Sequence, residues 1–165
     1  MSHLPLIKVG MADLNVLAGD GILKTTGLGS CVGLTLHDPV TRISGMAHIM
    51  LPDSNIARDD HFNRAKYADT AVPELIERMV RLGASVNRMV AKLAGGAQMF
   101  AFTGQQSEWM RIGPRNVEMC HAMLKKWNIP VKGEDTGGNY GRTIELMGGS
   151  GILIIRSANR EAKEL

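Results

Sequence analysis

Residues 25–50 read TTGLGSCVGLTLHDPVTRISGMAHIM and predict the centre of the fold. Two apolar runs within this stretch, residues 32–37 and 43–50, have the length and the aliphatic content of strands. Pro39 lies between them, and its fixed φ suits the first central position of a turn. The stretch therefore predicts a β-hairpin.

Cys31 is the residue of this hairpin that suggests chemistry. It ends a glycine-rich turn that contains Gly27 and Gly29, and Gly33 follows it closely. A cysteine that only fills a core does not need such neighbours. A nucleophile does, because glycine lets the backbone approach a reacting carbonyl. A lone cysteine is more often a small buried hydrophobe, and Cys120, on the apolar stripe of a predicted helix, keeps that interpretation.

The register of the hairpin would give Cys31 a partner. With Pro39 and Val40 as a two-residue loop, His48 lies directly opposite Cys31, with Cβ atoms about 4.5–5.5 Å apart. The pleat would put Val32 in the core and Cys31 on a more polar, reachable face. Two-residue loops prefer a positive φ that proline cannot adopt, so a wider loop or a bulge is the alternative, and a slip of one residue would move His48 to the other face.

The rest of the chain predicts two helices and further short strands. Apolar residues at helical spacing predict a helix over residues 67–82, and Pro114 marks the first turn of a second helix that ends at Trp127. Because the strands are grouped rather than alternating with helices, we expect an α+β fold with about seven or eight strands in mostly antiparallel sheets. The other predicted strands are a strand with its turn at residues 5–18, strands at 22–26, 86–93 and 131–134, and a terminal hairpin of 142–147 with 151–156.

Length and composition are typical of one domain. The chain has 165 residues and a mass of 17.9 kDa, which is enough to bury a core without disulfides or metals. We expect residues 1–165 to form a single domain, with a mobile loop at 52–64 and a solvated, charged tail at 157–165. The formal net charge of +3 is weak, and no basic cluster is interleaved with aromatic residues, so a nucleic-acid partner is not expected.

The cysteine count and the apolar segments predict the compartment. Two cysteines do not make a disulfide framework, and no apolar run approaches the roughly 20 residues that span a bilayer. The N-terminus lacks a basic segment followed by an apolar run. The five histidines have no spacing typical of a metal site, and no phosphate-binding loop is present. We expect a cytoplasmic protein without membrane insertion, metal or organic cofactor.

Six short motifs occur in order along the chain: GLGSC at 27–31, GMAH at 45–48 with MLP at 50–52, KYADTA at 66–71, AGGA at 94–97, GPRNV at 113–117 and EDTGGN at 134–139. One such motif would be weak, but six in the same order over about 115 residues are specific. Together they resemble the motifs of the CheD family of chemoreceptor glutamine deamidases.

The resemblance implies a cysteine nucleophile, a histidine base and a threonine that assists the histidine. In this sequence these correspond to Cys31, His48 and Thr25, and the adjacent Thr26 is the alternative for the threonine. The implied fold is a layered α/β sandwich similar to the bacterial toxins that deamidate glutamine. Residues 98–111 and the C-terminal tail match no motif, so they receive no role.

The implied reaction converts glutamine side chains on the cytoplasmic part of methyl-accepting chemotaxis receptors to glutamate, which would tune adaptation. Cys31 would form a thioester, with backbone N–H groups near Gly29 and Ser30 as candidates to stabilise the oxyanion. A glutamyl methyl ester could form the same acyl-enzyme, so a methylesterase side activity is chemically accessible. The resemblance also implies a CheC-type phosphatase as a partner.

Two other functions fit the same residues. A different thiol hydrolase, such as a peptidase or a transglutaminase-like enzyme, would also use a cysteine and a histidine. A non-catalytic binding module of the chemotaxis system would hold Cys31 only as part of its core. Ammonia release without backbone cleavage separates deamidation from the first alternative, and variants of Cys31 and His48 separate it from the second.

Overall fold

The computed structural model of the chain describes residues 4–57, 62–99 and 111–165. Most of residues 98–111, which match no motif, and part of the predicted loop at 52–64 lie outside these ranges. The described chain contains two α-helices, ten strands and two 3₁₀ turns. They are α1 (Ala68–Arg81), α2 (Ile112–Lys126), β1 (Leu6–Lys8), β2 (Leu14–Ala18), β3 (Ile22–Leu28), β4 (Val32–Asp38), β5 (Ile43–Ile49), β6 (Val90–Gly95), β7 (Val131–Thr136), β8 (Arg142–Met147), β9 (Leu153–Arg156) and β10 (Lys163–Glu164), with the turns at Ser54–Ile56 and Val86–Arg88.

The strands of the described chain form two five-stranded sheets. Sheet A has the order β1-β3-β8-β9-β10, and sheet B has the order β2-β5-β4-β6-β7. The pairs β1–β3 and β6–β7 are parallel, and the other neighbouring pairs are antiparallel. The expected α+β class, with mostly antiparallel sheets and two main helices, is confirmed.

The helices and the two sheets stack as three layers. One core lies between the helices and sheet B, where Leu34 of β4 packs with Leu75 of α1 and Leu124 of α2. A second core lies between the sheets, and Cys31 belongs to it. Sheet B is therefore covered on both faces, and every residue of β4 and β5 is buried. The reachable, polar face predicted for Cys31 is wrong, because sheet A covers that face.

The hairpin β4–β5 forms, but its predicted register is wrong by two residues. His48 pairs with Gly33 rather than with Cys31. The loop has four residues, 39–42, because proline cannot enter the primed turn that a two-residue loop prefers. Arg42 supplies the positive φ instead, at 58°.

The Asp38 carboxylate stabilises this wider loop. It accepts hydrogen bonds from the N–H groups of Val40 and Thr41 at 3.0 and 3.4 Å, and Arg88 forms an ion pair with it at 3.0 Å. The Arg42 N–H donates to the Asp38 carbonyl at 2.8 Å. A shift of two residues keeps every side chain on its predicted face, because side chains alternate along a strand with a period of two.

The two ends of the chain differ from the prediction in detail. The segment predicted as a strand and its turn, residues 5–18, forms β1 in sheet A and β2 in sheet B, and the chain crosses between the sheets at residues 9–13. Residues 158–164 are exposed, but β10 pairs with β9, so the last residues form an edge strand of sheet A.

Both predicted helices are confirmed. The apolar stripe of α1, which includes Val72, Leu75 and Met79, is buried against sheet B. On α2 the buried positions include Asn116, Cys120 and Leu124, which lie four residues apart and therefore share one face. In the described part of the chain, neither helix is long and apolar enough to cross a membrane.

Candidate active site

His48 and Thr25 come from different sheets and meet between them. His48 lies on β5 of sheet B and Thr25 on β3 of sheet A, and the two residues are 1% and 2% exposed. The Thr25 Oγ1 atom lies 2.7 Å from Nδ1 of His48. Thr26 is exposed, because it points to the other side of β3. The structure thus brings Thr25, and not Thr26, to the histidine.

A β-bulge in β3 allows both Thr25 and Leu28 to point inward. Thr25 pairs with Ile144 of β8, and Leu28 pairs with Arg142, so three steps along β3 match two steps along β8. Residues three apart face opposite sides of a regular strand, yet Thr25 and Leu28 are both buried between the sheets. Gly27 lies in the bulge with a φ of 71°, which favours glycine over any residue with a side chain.

Thr25 fixes the tautomer of His48. Its hydroxyl also lies 2.7 Å from the carbonyl oxygen of Val9. A carbonyl can only accept, so the single hydroxyl hydrogen goes to Val9, and Thr25 Oγ1 must accept from the Nδ1–H group of His48. The Nε2 atom then carries the lone pair, and it is buried without a hydrogen-bond partner in the described part of the chain. This arrangement is that of a general base.

The segment between β1 and β2, residues 9–13, is hydrogen-bonded to the backbone of His48. The Ala12 N–H donates to the His48 carbonyl at 3.1 Å, and the His48 N–H donates to the Asp13 carbonyl at 2.9 Å. The Val9 carbonyl belongs to the same segment. These contacts carry no signal in the sequence, because every residue has a carbonyl and all but proline have an N–H.

Cys31 lies on the same inter-sheet face as His48. It immediately precedes β4 and comes two residues before Gly33, the cross-strand partner of His48. Cys31 and His48 are therefore diagonal neighbours, a spacing of about 7–8 Å across which aromatic side chains still reach. A Cβ on Gly33 would lie 2.5 Å from Cδ1 of Ile144, so the close approach of sheet A explains this glycine.

Gly95 and Gly96 fix the loop that carries Cys31. The Gly96 N–H donates to the Cys31 carbonyl at 2.8 Å, and the Ala97 N–H donates to the Gly29 carbonyl at 2.8 Å. Gly95 has a φ of 103°, and a Cβ there would lie 2.3 Å from the Cys31 carbonyl oxygen. The AGGA motif is the sequence signal for this contact, but the motif alone does not reveal which loop it contacts.

Two N–H groups of the cysteine loop, residues 29–31, are candidates to bind an anion, although the Cys31 N–H is hydrogen-bonded to its own sulfur. The Gly29 N–H is engaged, because it donates to the Gly27 carbonyl at 3.1 Å. In the described residues, neither the Ser30 N–H nor the Cys31 N–H donates to a backbone carbonyl. Adjacent N–H groups beside a thiol are suited to stabilise the oxyanion of a tetrahedral intermediate.

Asn116 joins the loop that carries Cys31 to the end of β5, the strand that carries His48. Its Nδ2 donates to the Ser30 carbonyl at 2.9 Å and to the Met50 carbonyl at 3.0 Å. The residue is fully buried, and Oδ1 has no partner in the described part of the chain. A buried unpaired acceptor costs about 1–3 kcal/mol. The sequence analysis missed Asn116, and the GPRNV motif at 113–117 is the signal that pointed to it.

Burial favours the neutral forms of Cys31 and His48. Burial raises the pKa of the Cys31 thiol, and a hydrogen bond from its own backbone N–H lowers it by less. Burial lowers the pKa of His48. Both shifts favour a thiol beside a neutral imidazole over a thiolate–imidazolium pair. Burial and the nearby Glu134 carboxylate raise the pKa of Cys120 to about 12, so that thiol is not a nucleophile.

Among the residues that the structure describes, the surroundings of the site offer no ligand cluster for a metal. A surface depression of about 330 Å³ is lined by Thr25, Lys8 and Lys24, among other residues. Cys31 is not among the residues that line it. Within the described ranges, no three histidine, cysteine, aspartate or glutamate side chains lie close enough together to hold a metal ion.

The neutral state of Cys31 predicts its ultraviolet spectrum. We expect the difference spectrum of wild type minus Cys31→Ala to lack thiolate absorbance at pH 7, and to gain it only above the ordinary thiol pKa of about 8.5, because burial disfavours the anion. Cys120 is present in both proteins, so its absorbance cancels in the difference spectrum. A thiolate band at pH 7 that disappears in His48→Ala would instead show a preformed ion pair.

Comparison with known proteins identifies the family. The family described as CheD chemotactic sensory transduction matches residues 50–157. The chain belongs to the CheD family. The chemoreceptor glutamine deamidase CheD of Halalkalibacterium halodurans is 49% identical over 160 residues, which cover 97% of this chain and 98% of that protein. The probable chemoreceptor glutamine deamidase CheD of Geobacillus kaustophilus is 46% identical over 165 residues, the whole of both chains.

These CheD relatives span the candidate residues, although the matched family region does not. The family match begins at residue 50, after Thr25, Cys31 and His48, whereas the alignment with the Geobacillus protein covers the whole chain. Among solved structures, a Neisseria meningitidis protein described as DUF152 superposes with a TM-score of 0.47 and 14% sequence identity. The match covers 82% of this chain and 63% of that protein. A likeness of this degree supports no conclusion about function.

Proposed function

We propose that this member of the CheD family hydrolyses glutamine side chains of chemotaxis receptors to glutamate, with Cys31 as nucleophile, His48 as base and Thr25 as the residue that orients His48. The observation that most directly supports this is the His48 ring, whose Nδ1 is bonded to Thr25 and whose Nε2 is unpartnered in the described structure. The names of the relatives, chemoreceptor glutamine deamidase, support the substrate.

The burial of the nucleophile favours a long side chain as the substrate. Cys31 is 7% exposed, and His48 is 1% exposed. A backbone carbonyl carries polypeptide on both sides and needs an open groove to reach such a thiol. A glutamine carries its amide at the end of a flexible arm that a narrow opening admits. This difference favours deamidation over the peptidase alternative.

The first step forms the thioester. The Nε2 atom of His48 takes the Cys31 proton while the sulfur attacks the amide carbon. A C–S bond forms, and the carbonyl π electrons move to the oxygen, which accepts hydrogen bonds from the N–H groups of Ser30 and Cys31. His48 then donates its proton to the amide nitrogen, the C–N bond breaks, and ammonia leaves.

The second step regenerates the enzyme. Water gives a proton to Nε2 of His48 and attacks the thioester carbon, and a second tetrahedral intermediate forms. The C–S bond then breaks, the Cys31 sulfur regains a proton, and the product is glutamate. One water is consumed and one ammonia is released for each glutamine. A glutamyl methyl ester would enter the same sequence with methanol in place of ammonia, so we include methylesterase activity in the proposal.

The partners and the compartment of the protein rest on the resemblance. The proposed substrates are the cytoplasmic parts of methyl-accepting receptors, so the enzyme would act in the cytoplasm. A CheC-type phosphatase is the proposed regulatory partner. Conversion of receptor glutamine to glutamate would create carboxylates that accept methyl groups, and it would thereby tune adaptation.

Mass spectrometry of a receptor cytoplasmic fragment tests the proposed function. Incubation with the protein should produce the mass increase of an amide that becomes a carboxylate at specific glutamines, together with one equivalent of ammonia per site. The receptor backbone should stay intact. Cleaved receptor peptides would instead support a peptidase, and unchanged receptor with no ammonia would contradict the proposal.

Substitution of Thr25 tests the orientation of His48. We expect Thr25→Val, which keeps the shape and removes the acceptor for Nδ1–H, to lower kcat by about 10–100-fold, because the ring loses its fixed tautomer. Thr25→Ser keeps the hydroxyl and should stay within about threefold of wild type. Thr26→Val is the matched control, since Thr26 is exposed. Equal kcat values for Thr25→Val and Thr26→Val in ammonia-release assays would contradict the assignment.

A further inference from the structure

We propose that Asn116 is a positioning residue that orients the peptide group between Ser30 and Cys31, so that the Cys31 N–H faces the oxyanion formed at the sulfur. The proposal rests on the assignment of Cys31 as the nucleophile under the proposed function. It extends that function by naming the residue that holds the oxyanion donor in place.

The geometry of the peptide bond connects Asn116 to this donor. In a trans peptide the C=O of one residue and the N–H of the next point in opposite directions within one plane. The Asn116 Nδ2 holds the Ser30 carbonyl at 2.9 Å. The direction of the Cys31 N–H is therefore set by the same hydrogen bond. The Cys31 carbonyl on the other side is held by the Gly96 N–H at 2.8 Å, so both peptide groups that flank the nucleophile are fixed.

The second hydrogen bond of Asn116 fixes Asn116 itself. Its other Nδ2–H donates to the Met50 carbonyl at 3.0 Å, in the chain just after β5, which carries His48. The amide is thus anchored to the strand of the base while it holds the loop of the nucleophile. Only a side chain with two N–H donors on one atom satisfies both carbonyls from this buried position on α2.

The burial of Asn116 supports a role beyond packing. The residue is 0% exposed, and its Oδ1 is unpartnered in the described residues. Cys120 and Leu124 share the same face of α2 and fill the core with little or no polarity. The hydrogen bonds that its Nδ2 donates to Ser30 and Met50 explain why a polar side chain lies on this otherwise apolar face.

Two reactions of the same sulfur separate an oxyanion role from a structural one. Acetylation of Cys31 by p-nitrophenyl acetate passes through a tetrahedral oxyanion, whereas alkylation by iodoacetamide is a displacement without one. We expect Asn116→Ala to slow acetylation at least about tenfold, toward the 10²–10³-fold loss typical of a missing oxyanion donor, and to leave alkylation within about threefold. Mass spectrometry locates the modified cysteine, and Cys31→Ala supplies the background rate.

Control variants separate a specific effect of Asn116 from a general loss of structure. Cys120→Ala removes a fully buried side chain one turn along the same face of α2 and should leave both rates unchanged. If Asn116→Ala does not fold, as judged by its thermal unfolding, Asn116→Leu fills the same volume without the donors and is measured in its place. Deamidation by the folded variant should show a lower kcat with KM within about threefold of wild type.

The outcomes of acetylation and alkylation judge Asn116 without any glutamine substrate. Slower acetylation with unchanged alkylation supports the proposal, even if wild type fails to deamidate receptors and the proposed function is lost. A loss of both rates by the same factor would show that Asn116 only maintains the fold of the loop and would overturn the proposal. Unchanged acetylation would overturn it as well, whether or not receptor glutamines are deamidated.

Discussion

Cys31→Ala is expected to lower kcat/KM for ammonia release from receptor glutamines by about 10⁴–10⁶-fold, the loss typical of a removed nucleophile. Without the sulfur no thioester forms, and the remaining N–H groups and His48 can only assist direct attack by water. Cys31→Ser should lose nearly as much, because a hydroxyl is a far weaker acid than a thiol and a neutral imidazole with a lowered pKa is a weak base for it.

The matched control for this variant is Cys120→Ala. Both cysteines are buried, but Cys120 lies between α2 and sheet B, away from the inter-sheet face of His48. Cys120→Ala should keep wild-type kcat/KM even where it lowers the melting temperature. Full ammonia release by a folded Cys31→Ala protein would exclude catalysis by Cys31 and favour a function in which this residue only fills the core.

The layers of the fold could be predicted from the sequence because they follow from periodicity. The apolar stripe of α1 and the alternation in β8 define buried faces directly. The pairing of strands into two sheets could not be predicted in the same way. The pattern of residues 5–18 predicts a strand and its turn, but the segment supplies a strand to each sheet and crosses between them at residues 9–13.

The sequence pointed to Cys31 and His48 as residues of the candidate site, but it did not predict the register that relates them. The register prediction placed His48 opposite Cys31, and the structure places it opposite Gly33. The difference comes from the Asp38 carboxylate, which stabilises a four-residue loop that sequence periodicity cannot detect. The two residues stay on one face because the shift equals the period of a strand. A shift of one residue would have separated them.

The choice between Thr25 and Thr26 shows what local sequence cannot decide. Both are β-branched residues in one strand, and they differ only in the face on which they lie. The regular pairing of β3 with β8 up to Thr25 places Thr25, like Leu23, on the face toward sheet B. Asn116 is a similar case, since its partners Ser30 and Met50 are distant in sequence and are met through their backbone carbonyls.

Replacement of His48 by asparagine separates its role as a base from its role in the fold. The side-chain amide of an asparagine can place its N–H near the position of Nδ1 and keep a donor for Thr25 Oγ1, but it has no basic nitrogen in place of Nε2. We expect His48→Asn to lower kcat for deamidation by about 10²–10⁴-fold, the usual contribution of a general base. The melting temperature should change little, because the hydrogen bond to Thr25 is retained.

His37→Asn is the matched control on the same hairpin. His37 is also buried, at 5% exposed, and its Nδ1 also pairs with a hydroxyl, that of Ser44, at 2.8 Å. It lies at the loop end of β4 against Gly151, far along the strand from Cys31. Burial lowers the pKa of both histidines, so His37 shares this feature with His48 but not its position. His37→Asn should therefore keep wild-type kcat, whatever its stability.

The pH dependence of kcat/KM in wild type completes this argument. The reaction requires neutral His48, so kcat/KM should fall only as the pH drops through a histidine pKa that burial holds below the ordinary value of about 6.5. His48→Asn should lose this acidic limb along with most of its rate, whereas His37→Asn should retain it. If the acidic limb persists in folded His48→Asn and disappears in His37→Asn, His37 at the other end of the hairpin would be the base. That result would contradict the assignment of His48.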